Sequence, residues 1–243
     1  MNNFSPNMLK TFDECQTKFF FKYIKKLSVP QDKKLFEKGK KIHALASYYL
    51  NGEDVSKMER VLSAEEKTTW DVLKSNKYFK LKMLNTEYNL SCKVKEHWIG
   101  GRLDALMSDG TGNRKQETEG DLNSENHSTI QPFNSSTNYY ILDYKTGSIP
   151  KNAEQDFQTI VYLLCADKFL RHKNISYKSL QFVYLGLKDD VEKVILLDEN
   201  LKKQYEEKIA LTCDKIDLAI NSKVFSKNTF GCEKCEYNKI CKI

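Results

Sequence analysis

Ile99-Gly100-Gly101-Arg102-Leu103-Asp104-Ala105 and, further along the chain, Ile141-Leu142-Asp143-Tyr144-Lys145-Thr146-Gly147 each carry an apolar run into an acidic residue. The first belongs to Trp98 to Met107, which reads as a strand interrupted by paired glycines. The second continues Tyr139-Tyr140 as a short buried strand. Two carboxylates at the tips of adjacent strands can converge on one hard divalent cation, because Mg²⁺ prefers oxygen ligands and needs few of them from the protein. Lys145 stands two residues after Asp143, so on an extended chain the two side chains share a face. An ammonium group there can orient an attacking water and stabilise charge on a phosphate.

The flanking segments supply the layers that such strands need. Ser5-Pro6 has the form of a helix start, and Leu9, Phe12, Cys15, Phe19 and Tyr23 recur at helical spacing, predicting one helix over 5–25. A second helix is expected over Lys33–Leu50 with Phe36, Ile42, Leu45, Ala46 and Tyr49 inward, and Ser63-Ala64-Glu65-Glu66 has capping-box spacing. Alternation at Tyr88, Leu90, Cys92 and Val94 predicts a strand before Trp98. A helix over Asp156–Leu170, strands over Leu180–Leu185 and Val191–Leu197, and a long helix from Glu199 to about Ile220 complete the order. The expectation is an α/β fold: one mixed sheet flanked by helices, with an N-terminal helical region and a C-terminal cysteine cluster. Residues 109–138 are polar apart from Leu122, Ile130 and Phe133 and read as a disordered insert between two strands.

Composition narrows the class. The 243 residues are 30% charged and 40% hydrophobic, as in globular chains, and one or at most two domains fit the length. The longest apolar run, Ile160 to Ala166, is too short to span a bilayer, and Met1-Asn2-Asn3-Phe4 does not open a secretory pattern. Seven cysteines are then expected as mostly reduced thiols in a cytoplasmic protein. A net charge of +6 leans weakly towards a polyanionic partner. Lys22-Tyr23-Ile24-Lys25-Lys26 and Lys38-Gly39-Lys40-Lys41 are candidate backbone contacts for nucleic acid, though lysine-rich helix faces are commonly just solvated.

The two acidic strands together resemble the PD-(D/E)XK nuclease superfamily in its RecB-like branch, where a Gly-rich strand ends in the first Asp and an apolar strand delivers Asp-Tyr-Lys-Thr-Gly. Three further segments match in the same order. Gly39-Lys40-Lys41-Ile42-His43 resembles the branch's Gly-x-x-x-His helix, Thr86-Glu87 stands before the expected first strand, and Gln158-Thr159-Ile160-Val161-Tyr162 resembles its Gln-x-x-x-Tyr helix. The resemblance covers the chain from Ser5 onward and departs from it at the insert. It implies a single domain over 1–243, with a helical region at 5–85 and a restriction-endonuclease-like core at 86–222. It implies Mg²⁺ or Mn²⁺ held by His43, Glu87, Asp104 and Asp143. It implies Lys145 as the residue that positions water, and Gln158 and Tyr162 as the substrate-side residues.

Cys232-x-x-Cys235 and Cys241 form a second constellation, with Cys15 far upstream. Four thiolates suit zinc and iron–sulfur chemistry alike, and spacing does not separate them. The arrangement is similar to iron–sulfur members of the same branch, the AddB nuclease domain and the CRISPR-associated RecB-like exonucleases. That likeness implies a 4Fe–4S cluster on Cys15, Cys232, Cys235 and Cys241, a clasp of Cys15 with residues 231–243. Cys92, Cys165 and Cys213 are expected to be buried thiols. The implied activity is a metal-dependent deoxyribonuclease, an exonuclease in DNA repair, recombination or foreign-DNA processing. Implied partners are DNA and a helicase or CRISPR/repair complex subunit, with no membrane. The rival reading is a non-catalytic DNA-binding or assembly subunit on the same fold. A cysteine-rich zinc module with incidental acidic strands ranks last.

Overall fold

The computed structural model describes residues 3–29, 33–110 and 136–241, with the side chains of residues 33–36 and 38 left aside. The expected disordered insert therefore falls, for 111–135, outside the described residues, as does the inward placement of Phe36. Five strands form one sheet in the order β1 (Lys82–Val94), β2 (His97–Ser108), β3 (Asn138–Lys145), β4 (Ser179–Gly186) and β5 (Val191–Leu196). Only β3 and β4 run parallel, joined by the crossover helix α6 (Phe157–His172) that such a pairing requires. The remaining helices are α1 (Pro6–Glu14), α2 (Gln16–Phe19), α3 (Lys33–Leu50), α4 (Ser56–Arg60), α5 (Ala64–Ser75) and α7 (Glu199–Ser222). The expected mixed α/β sandwich is what the chain forms.

Period-two alternation in β3 and β4 divides the apolar side chains between two cores. Ile141, Phe182 and Tyr184 join Leu9 and Phe12 of α1, Ile160 and Leu164 of α6, and Ile209 and Ile216 of α7. Leu142, Tyr144, Val183 and Leu185 join Ile42 and Leu45 of α3 and Trp70 and Leu73 of α5. Local signals mark the helix starts. Ser5 caps α1 ahead of Pro6, Ser63 and Glu66 make the capping box of α5, and Asp156 caps α6 through Gln158 N.

Three elements differ from the sequence expectation. β2 runs unbroken through Gly100 and Gly101, which pair with Ser91 and Leu90, where an interruption was expected. The single helix over 5–25 is broken at Cys15, which is extended (φ −165°, ψ 115°), and resumes as α2 and a π-helical turn, Phe20–Ile24. The C-terminal tail supplies partners beside this break: Asn228 Nδ2 donates to Glu14 O (2.9 Å) and Thr17 N donates to Ser226 O (3.1 Å). Tertiary hydrogen bonds thus replace helical ones that the periodicity alone would demand. β1 is also longer than its alternating half, starting at Lys82. Its first turns carry a register shift between Met83 and Asn85 and a left-handed residue at Glu87, which scramble the alternation.

Candidate active site

The site forms where β2 and β3 part. Their pairing runs from Ser108↔Tyr139 to Ala105↔Leu142 and ends there, while β3 stays paired with β4 as far as Lys145↔Gly186. The β2-facing N–H and C=O of Tyr144 therefore lose their ladder partners, and a buried main-chain group cannot be left unpaired cheaply. Two side chains take them. Asp104 Oδ2 accepts from Tyr144 N (2.9 Å), and His43 Nε2 lies 3.1 Å from Tyr144 O. A carbonyl can only accept, so Nε2 carries a proton, and Nδ1 is the ring nitrogen turned to Asp104 Oδ1 at 3.1 Å and Glu87 Oε1 at 3.8 Å. Gly39, one helical turn before His43, brings α3 close to the end of β3. A Cβ there would meet Thr146 Oγ1 at 3.3 Å.

Glu87 reaches this group through an interrupted ladder. Thr86 pairs Ala105 and Tyr88 pairs Leu103, but Glu87 has φ 48° and makes no pair with Asp104. Thr86 Oγ1 donates to Asp104 O (2.9 Å), substituting for the missing ladder bond. The ligand-type atoms of His43, Glu87 and Asp104 lie within 4.8 Å of one another, and this is the one such group among the described residues. Glu87 was expected ahead of the strand; it lies within β1. Sequence reasoning missed Arg102, whose Nε sits 3.0 Å from Glu87 Oε2. The signal was there: Arg102 precedes Asp104 by two, the strand period.

Asp143 and Lys145 form a second cluster with Gln158. Lys145 Nζ lies 2.8 Å from Asp143 Oδ2 and donates to Gln158 Oε1 (2.9 Å), while Gln158 Nε2 donates to Asp143 Oδ1. Tyr162, four residues on and on the same helix face, donates its hydroxyl to Arg102 O (2.7 Å). Gly101 makes room for that ring, since a Cβ there would stand 2.7 Å from Tyr162 Cε1. Asp143 does not join the compact His43–Glu87–Asp104 group, although its charge is felt there.

The electrostatics follow from crowding acids in a partly buried cleft. Burial pushes the Asp143 carboxyl up to about 6, the Asp104 charge adds to this, and Lys145 opposes it. Burial works against the His43 imidazolium, but the Asp104 hydrogen bond and the charges of Asp104 and Asp143 outweigh it, raising His43 to about 8. A divalent cation would relieve the same repulsion. The donor set fits one: two carboxylates and an imidazole whose far nitrogen is held by a carbonyl, the outer contact by which histidine ligands are oriented. Asp143 Oδ2, buried and with no hydrogen-bond partner in good geometry, is a further oxygen that could serve it.

The four expected cluster cysteines are brought round one pocket of about 640 Å³, lined also by Glu14, Lys18, Phe21, Tyr237 and Phe230. All are free thiols. No three of their sulfurs lie within 4.8 Å of one another among the described residues. Cys92, Cys165 and Cys213 are buried, as expected, but two are not solitary: Cys92 and Cys165 Sγ lie 3.3 Å apart between β1 and α6.

The model of the PD-(D/E)XK nuclease superfamily matches residues 3–123 and 130–242. Among solved structures, the chain is similar to one from Eubacterium rectale named "Putative exonuclease", at 7% identity and a TM-score of 0.56, over 98% of this chain and 88% of that one. It aligns with SSO0001 at 15% identity over 99% and 86% of the two chains, at a TM-score of 0.39, too low to support an argument. No curated protein matches it.

Proposed function

The chain belongs to the PD-(D/E)XK nuclease superfamily, and on that premise we propose that it is a divalent-metal-dependent deoxyribonuclease acting as an exonuclease. The observation that carries this reading is the His43–Glu87–Asp104 group, with its imidazole already oriented by Tyr144 O, one strand away from Lys145. A bound Mg²⁺ or Mn²⁺ supplies Lewis-acid charge to the scissile phosphate and eases deprotonation of water. His43 Nδ1, Glu87, Asp104 and Asp143 would hold it. Lys145 Nζ, paired with Asp143 and steered by Gln158, directs the attacking water and offsets the charge that grows on phosphorus-bound oxygens. Water adds to phosphorus and releases a proton to solvent, the bond to the leaving sugar oxygen breaks, and that oxygen takes up a proton from solvent. Tyr162 holds the β2 main chain beside Asp104 and so keeps the cleft in shape.

A second element of the proposal is a 4Fe–4S cluster on Cys15, Cys232, Cys235 and Cys241. A tetrahedral zinc site with bonds of about 2.3 Å needs sulfurs about 4 Å apart. Among the described residues no three of the four sulfurs come within 4.8 Å of one another, while all four line one pocket, which supports a group larger than a single ion. The clasp would tie the break after α1 to the tail. Its test is Cys15→Ser, expected to abolish brown colour and acid-labile sulfide in anaerobically purified protein; unchanged zinc content and no iron in the wild type would defeat it.

The role in repair, recombination or foreign-DNA processing, and a helicase or CRISPR/repair partner, rest on the sequence resemblance. The nuclease itself is tested with Asp143→Ala and Lys145→Ala on end-labelled linear and circular DNA in Mg²⁺ or Mn²⁺. Both variants should lose metal-dependent degradation with unchanged far-UV spectra, and the wild type should spare circles. Cleavage by the double variant would overturn the mechanism, and DNA held but never shortened by the wild type would favour the non-catalytic rival.

A further inference from the structure

Arg102 stands on β2 with its main chain and one edge of its guanidinium already committed. Its carbonyl accepts from Tyr162 OH at 2.7 Å, and its Nε lies 3.0 Å from Glu87 Oε2, whose other oxygen is 3.8 Å from His43 Nδ1. The side chain is nonetheless 65% exposed, and among the described residues Glu87 is its one ion-pair partner. Most of the side chain is thus open to solvent one carboxylate away from the atoms that would hold the cation. An arginine anchored in this way has lost much of its rotamer freedom before any ligand arrives, and its planar fork matches the oxygens of a phosphate. A lysine-rich helix face offers no such orientation.

We propose that Arg102 is a phosphate-binding residue of the substrate cleft, taking a backbone phosphate of DNA next to the scissile one. This rests on the nuclease reading above, and it names a substrate contact that the acidic group cannot supply. Glu87 then has two roles on its two oxygens: one towards the cation site, the other fixing the direction of Arg102. The contact is to the backbone and reads no base, so it should weaken binding alike for all sequences.

The experiment measures binding of a fluorescein-labelled single-stranded oligonucleotide by anisotropy, at several salt concentrations with Mn²⁺ present, in the Lys145→Ala background. Adding Arg102→Gln should raise Kd about five- to tenfold and reduce the log–log salt slope by about 0.7, the share of one phosphate on a single strand. Arg102→Lys should keep the slope. An unchanged slope in Arg102→Gln overturns the proposal. So does a fall in Mn²⁺ affinity by calorimetry with the slope intact, which would make Arg102 a clamp for Glu87 alone. Melting curves of both variants exclude misfolding. Cleavage by the Lys145→Ala protein itself would count against the nuclease mechanism and not against Arg102, whose slope is then read in EDTA.

Discussion

Glycine at position 87 should make the metal-free protein more stable than alanine does, reversing the order found in ordinary strands. In a regular strand glycine is the poorer residue by about 0.5–1 kcal/mol, because it loses more chain entropy on folding. Glu87 has φ 48°, a left-handed conformation in which a Cβ costs about 1–2 kcal/mol. Alanine keeps that Cβ and glycine removes it. Both substitutions delete the same carboxylate, the same contact with Arg102 and the same repulsion with Asp104, so these effects cancel in the comparison. Glu87→Gly is therefore expected to exceed Glu87→Ala by about 0.5–1 kcal/mol, or about 1–4 °C in Tm for a domain of this size. The assay is urea unfolding followed by far-UV circular dichroism in EDTA, with equal m-values required of the two variants. Calorimetry with Mn²⁺ supplies the second half: both should lose affinity to the same degree, since the proposed ligand oxygen is gone from each. If alanine equals or surpasses glycine in stability, the left-handed residue carries no strain and the account of the interrupted β1–β2 ladder fails.

Other consequences can be checked alongside. His43 in the metal-free fold sits at about 8, above its ordinary 6.5. Its contribution of about 2 kcal/mol is complete below pH 6.5 and lost as pH rises through 8. Urea titrations of wild type and His43→Gln at pH 6 and pH 9 should converge at the higher pH, and a constant gap would refute this. Asp143, raised to about 6 from 3.8, works in the same sense: it favours the folded state below pH 3.8, and that help is lost as pH rises through about 6. Asp143→Asn should consequently be more stable than wild type at pH 8 in EDTA, by about 1–3 kcal/mol, while cleaving no DNA. Gly101→Ala should cost about 1–3 kcal/mol, because its Cβ collides with the Tyr162 ring. Tyr162→Phe in the Gly101→Ala background should recover only a minor part of that cost, since the severe approach, 2.7 Å, is to the ring and the hydroxyl stands at 3.2 Å.

Much of this protein was readable from local pattern. The apolar runs of β3 and β4, the Ser5 and Ser63 helix starts, and the two-residue step from Asp143 to Lys145 are all properties of short segments. The four-residue step from Gln158 to Tyr162 likewise predicts one helix face, and the two side chains do look onto β3 and β2 from it. The failures are as instructive. A helix over 5–25 was expected because Phe12, Cys15 and Phe19 keep helical spacing. Nothing in that run discloses that Asn228 and Ser226, more than two hundred positions away, offer better partners to Glu14 and Thr17.

Residue types and spacing placed a carboxylate at the tip of each of two neighbouring strands and a lysine on the face of the second, because a period of two dictates which strand side chains share a face. That an imidazole would join them was implied by the resemblance of Gly39-Lys40-Lys41-Ile42-His43 to a family helix. Which nitrogen of His43 would face the acids was beyond such reasoning. That depends on β2 and β3 separating after Ala105 and Leu142, which leaves Tyr144 O for Nε2 and turns Nδ1 to Asp104. Arg102 acquires its place in the same way, from a left-handed Glu87 and a tyrosine on a helix sixty residues away. Such contacts arise where chains part and pair again in three dimensions, and no local period encodes where that happens.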